Sequence, residues 1–98
     1  MRDLFRGGSV SAINNRGQVA GGTKDGRAVV WQNGRTTTLG PGVAIDINER
    51  GEVVGQRDER VVVWRKGTTI DLGPGTPVAI NDNGQVVGWR GPPGRPHA

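Results

Sequence analysis

Few side chains in this sequence could make or break bonds, and their placement argues against a catalytic constellation. The one histidine, His97, lies in a Pro- and Gly-rich tail. Ser9 and Ser11 have no histidine near them in the chain to act as base, so a Ser-His nucleophile lacks its partner. Cysteine and tyrosine are absent, which excludes a disulfide framework and a thiolate metal site. "GGTKDG" at 21–26 lacks the spacing of a phosphate-binding loop, which needs glycines and a lysine at set intervals. "INDNG" at 80–84 resembles the start of a calcium loop, but the closing glutamate is missing. No catalytic residue, metal ligand or cofactor is expected.

The remaining candidates are residues that recur. Asn14, Asn48 and Asn81 occupy one position of a repeated string, "AINNRGQVAG", "DINERGEVVG" and "AINDNGQVVG". They could form a ring of amides around a polar ligand. The structural alternative is a turn-initiating Asn whose side chain bonds its own backbone two residues on, and it is the preferred reading. Trp31 and Trp64 also correspond, and an aromatic repeated once per unit reads as core between units or, if exposed, as a platform for a sugar ring. Arg27 pairs with Arg60 and Arg16 with Arg50, so a closed ring would carry basic circles able to meet phosphates. Asp46 stands where the other copies have Ala12 and Ala79, and could line a central channel. Trp31, Trp64, Asp46, Arg27 and Arg60 are thus the candidate ligand surface.

The elements that must position these residues all read as strands. The repeat has a period of about 33 residues, within the range of repeat architectures. "AVVW" and "VVVW" are β-branched runs, and "TTTL" and "TTIDL" are Thr-rich. Asn33-Gly34 and Lys66-Gly67 read as two-residue hairpin turns, Asn-Gly being suited to a turn with positive φ at both central positions. "LGPG" at 39–42 and 72–75 is expected to be a loop, because proline cannot donate to a ladder. Each unit is therefore a four-stranded antiparallel meander, and no helical pattern occurs. Small meanders need a sheet to pack against. Stacked around an axis they form a β-propeller, the expected all-β fold, with a β-solenoid as the alternative.

The string "AINxxGQVVG", followed by a strand ending in Trp, an "NG" turn and "TTxLG", resembles the HAF-type bacterial repeats, also called extracellular repeats. The resemblance runs from about residue 4 to residue 90. It departs where the family's "AFxW" strand is here "AVVW" and "VVVW". The resemblance implies propeller-like β structure and secretion, and brings no catalytic motif.

Strand counting makes the chain an incomplete ring. A single domain spans 1–90: a closing strand at 2–5, whole repeats at 10–39 and 43–72 and a partial repeat at 78–90, before a flexible tail at 91–98. The partial repeat lacks a third strand, unless Trp89 and Arg90 supply one. Propellers ordinarily have four to eight blades, so two chains exchanging ends, with about six blades in all, are the expected homodimer. Its interface would hold Leu4 and Phe5 of one chain against Ile80, Val86, Val87 and Trp89 of the other. The net charge of +4 comes mainly from scattered arginines, so nucleic acid is not an expected partner, and no apolar run is long enough for a membrane span. The N-terminus shows no signal-peptide pattern, which makes the cytoplasm the default compartment. The expected role is a non-catalytic binding or scaffold module that assembles with itself and takes a glycan or protein ligand. A multivalent lectin is the alternative, and a nucleic-acid-associated basic protein the second.

Overall fold

The computed structural model describes residues 9–65 and 67–90. The expected closing strand with Leu4 and Phe5, Lys66 of the second hairpin turn, and the tail with His97 lie outside them. Nine strands and no helix make up the described residues: β1 (Ser9–Ile13), β2 (Val19–Gly22), β3 (Arg27–Gln32), β4 (Arg35–Pro41), β5 (Val43–Ile47), β6 (Val53–Arg57), β7 (Arg60–Arg65), β8 (Thr68–Ile80) and β9 (Val86–Arg90). They form two antiparallel sheets, β1-β2-β3-β4 and β5-β6-β7-β8-β9.

The meander follows from local chemistry. Asn33 and Gly34 both have positive φ (53° and 79°), the conformation a two-residue hairpin needs to match strand twist. Asp58 and Glu59 make the same kind of turn between β6 and β7, with φ of 52° and 64°. No glycine marks that turn in the sequence. Each inner strand carries a bulge at the same place, between Val10 and Ala12, between Ala44 and Asp46, and between Pro77 and Ala79.

The "LGPG" segments differ from the loop expected of them. β4 runs through Leu39 and Gly40 to Pro41, which pairs with Arg27, and β8 runs without interruption through residues 72–75. Pro74 is the last residue of β8 to pair with β7, and Gly75 is the first to pair with β9. The prolines sit where a strand ends or changes partner, so their missing N–H leaves no gap in a ladder. Trp89 and Arg90 likewise make no third strand; they prolong β9 opposite Thr76 and Gly75.

Because β8 serves two ladders, the second sheet curls, and the β8–β9 hairpin returns against β5 and β6. The result is three stacked units: β1–β4, β5 to the first half of β8, and the second half of β8 with β9. Two apolar seams join them. In the first, Ala20 and Ala28 of unit one meet Ala44, Ile47, Val53, Val62 and Trp64 of unit two. In the second, Val54, Val61 and Val63 of unit two meet Ile80 and Val86 of unit three. Strand alternation sends Val53 one way and Val54 the other, so unit two is buried on both faces.

Candidate functional site

The three asparagines hold the molecule's most regular polar structure. In every unit the Asn Oδ1 accepts the backbone N–H groups two and four residues on: Arg16 and Gln18, Arg50 and Glu52, Asn83 and Gln85, at 2.9–3.1 Å. That is the turn-capping geometry expected of the sequence. The Nδ2 group donates to the side chain four residues on, Gln18, Glu52 or Gln85, at 2.7–2.8 Å.

A second Nδ2 bond was not legible in the sequence, and it crosses between units. Asn14 donates to the carbonyl of Asn48, and Asn48 to the carbonyl of Asn81, both at 2.9 Å. A parallel rung lies beside it. The amide of Asn15 donates to the Glu49 carboxylate at 3.0 Å, and the amide of Glu49 to Asp82 Oδ1 at 2.9 Å. The recurring asparagines thus form a ladder that fixes the register of unit on unit. Asn14 and Asn48 are buried, where a missing partner for the amide would cost about 1–3 kcal/mol.

Glu52 joins this ladder to a charge pair. Its carboxylate is buried, accepts from Asn48 and is bound by the Arg65 guanidinium, whose Nε lies 2.8 Å from Oε2. The Asn48 bond and then the Arg65 bond hold its carboxyl below the ordinary value of 4.5, against the opposing effect of burial. Around this pair, Arg16, Gln18, Glu49, Arg50, Thr68 and Ile70 line an open cleft of about 1000 Å³ at the seam of units one and two. Arg16 also donates to the carbonyl of Glu49 at 3.1 Å.

The five residues expected to form a ligand surface do not converge. Trp64 is only 4% exposed, with its ring in the first seam against Gly55, which leaves no indole face for a sugar. Trp31 is half-buried on the outer side of unit one. Arg27 and Arg60 lie at the opposite end from the cleft, beside Asp25 (3.4 Å) and Asp71 (2.8 Å). The Arg60 bond, then the Gly73 amide, lowers the Asp71 pKa. Asp46 reaches across the second seam, where Oδ2 accepts the amide of Ile80 at 3.0 Å. It pins unit three to unit two.

Of the expected interface residues among those described, Ile80 and Val86 pack inside the chain against unit two. Val87 and Trp89 are left outside, 60% and 56% exposed. Among the described residues no three Asp, Glu or His side chains gather to hold a metal ion. Comparison with protein-family models, with curated proteins and with solved structures finds no match.

Proposed function

We propose that this chain is a non-catalytic binding or scaffold module of β-propeller type that assembles with copies of itself. The observation that carries the reading is the repetition of one stacking arrangement. The same ladder joins unit one to unit two and unit two to unit three, and the outer faces of the first and third units expose apolar residues. Stacked meanders whose end faces stay open favour further stacking until a ring consumes the faces. The strand with Leu4 and Phe5 would complete the third unit of a second copy, giving about six blades in a homodimer. Light scattering behind a sizing column, at two protein concentrations, tests this. A stable dimer is expected, and a folded monomer at both concentrations contradicts it.

A second reading concerns what the module binds. The cleft gathers Arg16, Arg50 and Arg65 with Glu49 and Glu52; with Arg65 paired to Glu52, Arg16 and Arg50 are the groups offered to an acidic ligand, either a charged glycan or a phosphate chain. Salt separates this reading from a sugar-stacking one: any acidic ligand held by these arginines weakens steeply as salt rises, whereas a sugar stacked on Trp31 or Trp89, outside the cleft, quenches fluorescence and tolerates salt.

A further inference from the structure

The ladder has two open ends, and they fit one another. At its trailing end, Asn81 uses one Nδ2–H on Gln85; its second has no acceptor among the described residues, where Asn14 and Asn48 each have the next unit's carbonyl. Beside it the amide of Asp82 is also unbonded among the described residues, although the equivalent amides of Asn15 and Glu49 meet carboxylates. At the leading end the carbonyl of Asn14 accepts, among the described residues, only the amide of Gly17. The equivalent carbonyls of Asn48 and Asn81 accept two bonds each, one from their own loop and one from the preceding unit. Asn15, at the position of Glu49 and Asp82, offers a side-chain oxygen that has no donor among the described residues.

The apolar groups repeat the pattern. Inside the chain, Ala20 and Ile47 share the first seam, and Val54 and Ile80 share the second. The next pair in that series is Val87, on the trailing face, and Ile13, on the leading face, 62% exposed. Trp89 stands beside Val87 on the strand, two positions on and therefore on the same face.

We infer that the trailing face of one copy docks on the leading face of a second copy. Asn81 Nδ2 donates to the carbonyl of the second copy's Asn14, the Asp82 amide to its Asn15 side chain, and Val87 packs on its Ile13. This rests on the self-assembly proposed above and names the atoms of the seam. The contact is head-to-tail, and in the proposed two-copy ring it is used twice, so any change at the seam counts twice. Along the ladder the seam differs from the internal ones in a single respect: the acceptor for the Asp82 amide is a neutral amide oxygen instead of a carboxylate. A charged acceptor makes a hydrogen bond roughly twice as strong.

Opposite substitutions at the two ends therefore act with opposite sign. Asn81→Asp keeps the oxygen that caps its own loop and replaces the donors to Gln85 and to the second copy with a charged oxygen, which repels the Asn14 carbonyl. Asn15→Asp supplies the carboxylate that the internal seams have. Asn33→Asp, at an exposed hairpin tip whose side chain makes none of the ladder's bonds, makes the same charge change as a control. Sedimentation equilibrium of the full chain should show the dimer dissociation constant raised about tenfold or more by Asn81→Asp, lowered several-fold by Asn15→Asp, and unmoved by Asn33→Asp. Should the chain assemble with Asn81→Asp and Asn15→Asp both matching the control, this seam is overturned while self-assembly stands. A folded wild-type monomer at every concentration overturns both. If Asn81→Asp loses its far-ultraviolet strand signal, Asn15→Asp decides alone: tightening supports the seam, and no change overturns it.

Discussion

The two internal seams do the same job with different side chains. The first sets three alanines, Ala20, Ala28 and Ala44, with Ile47, Val53 and Val62 around Trp64, whose ring lies against the bare backbone of Gly55. The second has no aromatic ring and is closed by Val54, Val61, Val63 and Ile80, with two added polar pins. Asp46 accepts the amide of Ile80, and Gln56 donates to the carbonyl of Gly75 at 2.8 Å. What the seams share is the asparagine ladder. The apolar filling can therefore vary as long as its volume fits, while the polar rungs keep one unit in register with the next. Trp64 itself shows the limit of that tolerance, because its indole Nε1 is buried in the first seam with no hydrogen-bond partner.

Substitutions that strike one seam and spare the other sharpen this contrast. The largest effect is expected of Gly55→Ala in the first. A methyl there would lie 2.2 Å from the Val43 carbonyl oxygen and 2.5 Å from the Trp64 ring. Backbone on one side and a wedged indole on the other leave nowhere to yield, so denaturant unfolding should show a loss of about 3 kcal/mol or more. Asn48→Ala breaks the second seam's rung to the Asn81 carbonyl and removes a buried cap and the bond to Glu52, while the first seam's rung, which ends on the Asn48 backbone carbonyl, is kept. It should cost about 2–3 kcal/mol, against about 1 kcal/mol for Asn81→Ala at the exposed end. Equal losses for the two would show that the ladder contributes only as a loop cap. Val54→Ala opens the second seam alone, and about 2 kcal/mol is expected from the missing methyls and the space they leave.

Acid provides a gentler probe of unit two. Because the Glu52 carboxyl is held below 4.5 in the folded chain, its contribution is fully present above that pH and is lost as pH falls through the depressed value. Gln18 and Gln85 occupy the same position in the neighbouring units, do not titrate, and make the same bond to their asparagines. Glu52→Gln should therefore lower stability at pH 6 and flatten the acid limb measured by thermal melts, so that the variant and the unsubstituted chain converge towards pH 3. The smallest effect lies away from both seams. Glu59 has φ of 64°, strained for a side chain of its size, and Glu59→Gly should stabilise the chain by about 0.5–1 kcal/mol.

Much of this architecture was legible in the chain. Val and Trp runs flanked by Asn-Gly set β3 and β4 within a residue or two, since alternation and turn chemistry act locally. The Asx turn at Asn14, Asn48 and Asn81 was legible for the same reason. Three features depend on how one unit lies on the next, and no local pattern encodes that. They are the Nδ2 bonds across units, the Asp46 bond to Ile80, and the burial of Trp64 where Trp31 is half-exposed. Proline misled at "LGPG" because its cost to a ladder depends on which side of the strand needs a donor. The Asp58-Glu59 turn escaped notice because neither residue is a turn former of the Asn-Gly kind. The arginine cleft was half visible, in the equivalence of Arg16 and Arg50, but Arg65 and Glu52 join it only through the seam.

Amide hydrogen exchange at three backbone groups tests the central claim most directly. The amides of Asn15 and Glu49 are bonded to the next unit's carboxylates and should be protected at every protein concentration. The amide of Asp82 should exchange freely in dilute solution and become protected as concentration rises and mass increases. Protection of Asp82 that does not change while the mass increases would place the contact between copies elsewhere. Fast exchange at Asn15 and Glu49 as well would contradict the ladder itself.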